Sequence, residues 1–129
     1  MNQSNRIGIM AAMPEELQAL LDRMVDDTPV RLGGRTFWCG QVDGCEVVAV
    51  LSGIGKVAAA TTATLLIERF DVRRIVFTGV AGGLGPGVKV GDVVLARSFV
   101  QHDMDASPLF PKHEVPLYGR SRFETDADV

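Results

Sequence analysis

Two glycine-rich turns constrain this chain more than any other feature. Ser52-Gly53-Ile54-Gly55-Lys56 and Thr78-Gly79-Val80-Ala81-Gly82-Gly83 begin 26 residues apart, and each follows a strongly apolar run. Glycine tolerates positive φ and carries no Cβ, so a strand ending in such a turn can present its backbone N–H groups to a small polar molecule. In open α/β sheets ligands lie beyond the carboxyl ends of the strands. Both turns occupy that position if the runs before them are parallel strands, which makes an α/β fold with a small-molecule site the first expectation.

The chain has 129 residues, 47% of them apolar, and its mean hydropathy is +0.17. That is one domain's worth of core-forming sequence, and it excludes a disordered tail. A formal charge of −3 leaves no excess of Lys or Arg to coat a phosphate backbone, so nucleic acid is not an expected partner. The stretch Met1 to Arg6 leads into Ile7-Gly8-Ile9-Met10 with no apolar segment of signal-peptide or membrane-span length, which predicts a cytoplasmic chain with no membrane partner. Cys39 and Cys45 flank a turn at Asp43-Gly44, but in a reducing compartment they are expected to be free thiols, and two cysteines without a nearby histidine pair do not make a metal site.

Arg6 to Met10 reads as a short buried strand. Pro14 then sits where a first helical turn tolerates it, ahead of Leu17, Leu20, Leu21 and Met24 at helical spacing. Arg35–Gly40 and Cys45–Leu51 read as strands around the tight-turn signal Asp43-Gly44. Val57 to Phe70 is a helix whose small residues permit close packing on a sheet. Ile75-Val76-Phe77 and Val93-Val94-Leu95-Ala96 are apolar runs of the kind expected in strands covered on both faces. From His102 the prolines 108, 111 and 116 and the mixed charges predict an extended loop. Glu124 to Val129 resembles a helix start, with Thr125 as N-cap and acids after it. A sheet ending there leaves edges uncovered, so residues 1–129 are expected to form a single domain that is incomplete at its C-terminus.

Met13-Pro14-Glu15-Glu16 opens the first helix directly after the first strand and puts two carboxylates near the sheet end that carries the glycine turns. One of them could face a ligand. Acids in a first helical turn also simply complement the positive end of the helix dipole, and spacing alone leaves both readings open.

The collinear order Ile7-Gly8-Ile9-Met10 through Glu16, Ser52-Gly53-Ile54-Gly55-Lys56, Thr78-Gly79-Val80-Ala81-Gly82-Gly83, Val90-Gly91-Asp92 and His102-Asp103-Met104-Asp105 resembles the 5′-methylthioadenosine/S-adenosylhomocysteine nucleosidases of the purine and uridine phosphorylase superfamily. The resemblance covers only the N-terminal portion of that family's domain. It implies a three-layer α/β/α fold with a central mixed β-sheet, and a site formed by Met13, Glu16, Ile54, Val80, Ala81 and Gly82. Glu16 matches the glutamate that orients and activates the attacking water. Met13 and Ile54 match apolar residues lining the ribose and the 5′-alkylthio group, although ordinary core packing would explain the same residue types. Gly82 matches a backbone position beside the purine. Val80 departs from the family, which commonly carries there a serine whose hydroxyl helps hold the water.

The resemblance further implies a homodimer formed through the helix from Lys56 and the loop after His102, with Ala106, Leu109, Phe110 and Pro116 closing the partner's alkylthio pocket. His102 beside Asp103 and Asp105 is read as a structural element. The partner is a small nucleoside, and neither metal nor organic cofactor is expected. Carboxylates at the first helix repel phosphate but can serve a neutral water as general base, which favours N-glycosidic hydrolysis over phosphorolysis. The family's purine-protonating aspartate and ribose-gripping glutamate lie in the C-terminal half and match no residue here. A phosphate-dependent phosphorylase, or a nucleoside-binding member without catalysis, stays open.

Overall fold

A computed structural model describes residues 5–127, which fall into two compact units, one running to Gly82 and one from Gly83. The first contains β1 (Ile7–Ala11), α1 (Pro14–Leu21), β2 (Val25–Leu32), β3 (Arg35–Val42), β4 (Cys45–Leu51), α2 (Lys56–Phe70) and β5 (Arg74–Phe77). Its sheet has the order β2-β3-β4-β1-β5. β1 pairs in parallel with β4 and β5, whereas β2, β3 and β4 form an antiparallel meander, so the sheet is mixed as expected.

Side-chain alternation on these strands divides the core into two layers. Met10, Phe37, Val48 and Val50 pack with Leu66, Phe70 and Val72 beneath α2. Ala11, Val47 and Ala49 take the opposite face and pack with Leu17 of α1 and with Met24. The helices therefore cover opposite faces, which gives the three-layer α/β/α arrangement. The same alternation separates the cysteines. Cys39 pairs with Val48 and Cys45 with Val42, so the two lie on opposite faces of the sheet, and both are free. Burial pushes the Cys39 thiol up, partly offset by the Arg6 charge.

Gly40 is required by close approach. β2 is irregular between Val25 and Thr28, with Asp26 at φ 54°, and this bulge brings the main chain over Gly40. A Cβ at Gly40 would lie 2.8 Å from the Val25 carbonyl oxygen and 3.1 Å from Asp27 Cα. Gly40→Ala must push backbone aside and is expected to cost roughly 1–3 kcal/mol, read as a lower denaturant midpoint with an unchanged slope.

Three local expectations need correction, and one strand, β2, was not anticipated. β2 had no strand signal, because Pro29 and the pair Asp26-Asp27 interrupt its pattern; it forms as an edge strand, where proline is tolerated. β5 is not covered on both faces: among the described residues it pairs only with β1, and Val76 and Phe77 are exposed. Val93-Val94-Leu95-Ala96 is irregular and exposed, since an isolated apolar run gains ladder hydrogen bonds only beside a neighbouring strand, and among the described residues it pairs with none. Glu124 does not begin a helix. It pairs with Ser98 in the two-stranded sheet of β6 (Ser98–Phe99) and β7 (Phe123–Glu124), and the Thr125 hydroxyl donates to the Ala96 carbonyl at 2.9 Å. Met1 to Ser4 of the N-terminal stretch, and Asp128 and Val129 of the expected helix start, lie outside the described residues.

Candidate active site

The parallel register aligns the carboxyl ends of three strands. Ala11 of β1 stands opposite Leu51 of β4, and Met10 opposite Phe77 of β5. The ladder runs one step further on each side, with Ser52 N–H donating to the Ala11 carbonyl at 2.8 Å and Thr78 N–H to that of Met10 at 2.9 Å. Beyond these bonds the chain peels away. After β4 it turns through Gly53 and Gly55 at φ 78° and 103°, values that favour glycine, and Gly55 serves as the N-cap of α2. The α1 N-terminus, the α2 N-terminus and the turn after β5 therefore share one edge of the sheet. The glycine turns thus lie beyond the carboxyl ends of parallel strands, the position anticipated from their sequence context.

Glu16 spans this edge. It is the third residue of α1, and its Oε2 accepts from the N–H groups of Ala12 at 3.0 Å and Met13 at 2.9 Å, as an N3 acid does in half of a capping box. Its Oε1 accepts from the Val80 N–H at 3.0 Å. The same side chain thus caps its own helix and ties it to the turn after β5, a residue 64 positions away. The Val80 bond, followed by that of Met13, holds the carboxyl below its ordinary value; desolvation opposes them, and the Ala12 bond adds the least. Glu16 is therefore ionised at neutral pH. A carboxylate oxygen has two lone-pair directions, and Oε1 spends one on Val80, which leaves it able to accept from a further donor such as water.

Met13 is the N-cap residue of α1 and 45% exposed; Ile54, in the turn after β4, is 81% exposed; and Val80 is 92% exposed. None of the three belongs to the core of the described residues. Ala81 and Gly82 are also exposed, and a Cβ at Gly82 would meet nothing within 4 Å. Hydrogen bonds bring Met13, Glu16 and Val80 together, while Ile54 lies on the neighbouring turn. Two neighbours of the site went unrecognised in the sequence. Ser52 is buried, and its hydroxyl has the Ala11 and Gly53 carbonyls at 3.2 and 2.8 Å. Gly79 lies against the Glu16 carboxylate. Main-chain contacts of this kind leave no residue-type signature beyond the glycine itself.

In the second unit, the Ala106 carbonyl accepts from the N–H groups of Leu109 and Phe110, both at 3.1 Å, so these three residues form one turn. Pro116 lies in the segment closed by the Val115–Arg120 bridge. The Asp105 carboxylate accepts from the Ser107 hydroxyl at 2.6 Å and from its N–H at 3.1 Å, which holds Asp105 below its ordinary value. Among the described residues no three His, Cys, Asp or Glu side chains cluster as a metal site, and no helix is long and apolar enough to cross a membrane.

A mixed sheet between helical layers, with glycine turns beyond the ends of its parallel strands, is an α/β architecture that matches the nucleoside phosphorylase/nucleosidase fold. Residues 6–129 match the family model of the phosphorylase superfamily, and the chain belongs to that superfamily. Among solved structures it is similar to a 5′-methylthioadenosine/S-adenosylhomocysteine nucleosidase from Colwellia psychrerythraea in complex with adenine. The identity is 39% and the TM-score 0.92, over 98% of this chain and 52% of that one. The nucleosidase from Neisseria meningitidis in complex with methylthio-immucillin-A matches at 34% identity and TM-score 0.92, over 96% of this chain and 54% of the other. A futalosine hydrolase from Helicobacter pylori matches at 35% and 0.91, over 99% and 55%. The chain thus spans about half the length of the structures it matches.

Proposed function

We propose that this chain carries the water-activating part of an N-glycosidase that releases adenine from 5′-methylthioadenosine or S-adenosylhomocysteine. The observation that carries the reading is the Glu16 carboxylate, ionised and fixed by three main-chain N–H groups at the ligand edge of the sheet. Water donates one hydrogen bond to the free lone pair of Oε1, which aims its oxygen at the anomeric carbon. As the bond from carbon to the purine nitrogen breaks, positive charge develops on the ribosyl group, and a nearby carboxylate stabilises it. The water oxygen bonds to the anomeric carbon, one of its protons passes to Glu16, and the purine leaves with the bonding pair and takes up a proton from solvent. Met13 and Ile54 supply apolar surface suited to a thioether, and the exposed Ala81-Gly82 backbone leaves room for a purine.

Hydrolysis is favoured over phosphorolysis because an ionised carboxylate at this position repels an anionic nucleophile and accepts from a neutral one. The names of the matched structures, nucleosidases and a hydrolase, support the same choice. The futalosine hydrolase match also favours a second reading, in which the same bond is cleaved in a different nucleoside. A homodimer fits the exposed Val57 and Ile67 on α2, and the turn at Ala106, Leu109 and Phe110, together with Pro116, would close the partner's pocket.

The test is base release from 5′-methylthioadenosine and futalosine by the intact protein, with and without phosphate. Adenine and free 5-methylthioribose at equal rates in both buffers are expected. Phosphate-dependent formation of a ribose 1-phosphate would overturn hydrolysis, and tight binding with no cleavage would reduce the protein to a nucleoside-binding member of the fold.

A further inference from the structure

The Glu16 carboxylate is held from two sides, and the space that permits this is at Gly79. A Cβ built on Gly79 would stand 3.2 Å from Glu16 Oε1 and 3.5 Å from its carboxyl carbon, with Phe77 Cε1 also at 3.2 Å. Contacts of that length require a neighbour to move by a few tenths of an ångström. Glu16 cannot retreat freely, because Oε2 is fixed on its other side by the N–H groups of Ala12 and Met13. Nor is Gly79 there for its backbone. Gly53 and Gly55 adopt positive φ, whereas Gly79 does not, so its conformation is open to any residue and only the absent side chain distinguishes it.

We infer that Gly79 is a positioning residue for Glu16: its missing side chain lets Oε1 reach the Val80 N–H without releasing Ala12 and Met13. The inference rests on the reading of Glu16 as the residue that activates water. It also accounts for a valine at position 80. The bond from this position to Glu16 comes from the main chain, which any residue except proline supplies, so the carboxylate is oriented by the neighbouring glycine and not by the side chain at 80. A methyl group at position 79 would lengthen the Val80 bond and set an apolar group against the oxygen that faces the water.

The groups around the carboxylate are main-chain donors of the α1 N-terminus and of the turn after β5, with Glu15 as the adjacent acid on the helix. The Val80 bond is the largest contributor to the lowered titration of Glu16, so its loss is directly readable. Carbon-13 NMR of the carboxyl groups follows Glu16, assigned by the signal missing in Glu16→Gln. In Gly79→Ala the Glu16 titration should move up toward the ordinary value, and the acid limb of the kcat/KM profile should move with it. The fall in kcat should be roughly 10- to 100-fold with KM little changed, because misplacing a reacting group by a fraction of an ångström affects the chemical step more than binding. Gly85→Ala is the control. Its Cβ would make only an ordinary 3.6 Å contact with Val88, and it should leave both readouts unchanged.

Should Gly79→Ala fail to fold, the same comparison is made between Phe77→Leu and Phe77→Leu/Gly79→Ala, which removes the ring contact and keeps the one with Glu16. A Glu16 titration unchanged by the alanine would overturn the inference. The titration needs no turnover, so the two proposals fail separately. A shifted titration in a protein that cleaves no nucleoside would sink the hydrolase reading and uphold the geometry, whereas an unshifted titration in an active enzyme would do the reverse.

Discussion

Glu16→Gln should lower kcat for nucleoside hydrolysis by ~10²–10⁴-fold, the usual contribution of a positioned general base. The substitution keeps the shape and removes more than charge. Both carboxylate oxygens of Glu16 accept from N–H groups, Oε2 from Ala12 and Met13 and Oε1 from Val80. An amide has one acceptor oxygen and an NH2 that only donates. If the oxygen serves Ala12 and Met13, the NH2 faces the Val80 N–H, and the tie to the turn after β5 is lost while the helix cap survives. Glu16→Asp tests reach instead of charge, since a side chain one methylene shorter cannot span from α1 to Val80. Both variants should retain secondary structure by circular dichroism, and turnover at the wild-type rate in Glu16→Gln would eliminate Glu16 as the base.

The pH dependence follows from the direction of the Glu16 shift. Its folded value lies below 4.5, so its contribution to folding is fully present above the unfolded value and fades as pH falls through the lower folded one. Activity that depends on ionised Glu16 should therefore have its acid limb below the ordinary carboxylate range in any enzyme that remains folded. Glu16→Gln should lack this limb in its residual rate.

What could be read from residues alone was whatever depends on local signals. Pro14 with Leu17 and Leu20, the Asp43-Gly44 turn and the glycines after β4 and β5 each carry their own steric reason, and each element formed close to the expected position. What could not be read depends on neighbours distant in sequence. β2 exists because β3 offers it a ladder that outweighs Pro29 and the two aspartates, and Val93 to Ala96 lacks such a partner despite an ideal composition. For the site, Met13, Glu16 and Val80 were legible as a set through the resemblance, but the orientation of Glu16 was not. An acid that caps its own helix and an acid that reaches a distant turn share one spacing, and here a single side chain does both. The donor at position 80 was illegible in principle, because every residue except proline offers the same N–H.

The largest effect on stability is expected at Phe37, on the central part of the sheet. It is fully buried beneath α2, and its ring stacks on that of Phe70 with centroids 4.5 Å apart at 27°. Phe70 ends α2, where Asp71 takes a left-handed conformation and the chain turns into β5. Phe37 thus anchors both the helix and the strand whose following turn holds Val80 against Glu16. Phe37→Ala removes most of a large apolar side chain and leaves a cavity that rigid strands on either side cannot close. The expected loss is about 3–5 kcal/mol, set against a total of roughly 5–15 kcal/mol for a domain of this size. Phe37→Leu refills much of the volume and should recover more than half of the loss, whereas in a Phe70→Ala background Phe37→Ala should cost less than it does alone, because the stacked pair is already broken. Urea denaturation of the wild type and the four variants reads these differences as shifts in midpoint. A Phe37→Ala midpoint within error of the wild type would mean that α2 is held to the sheet by other contacts.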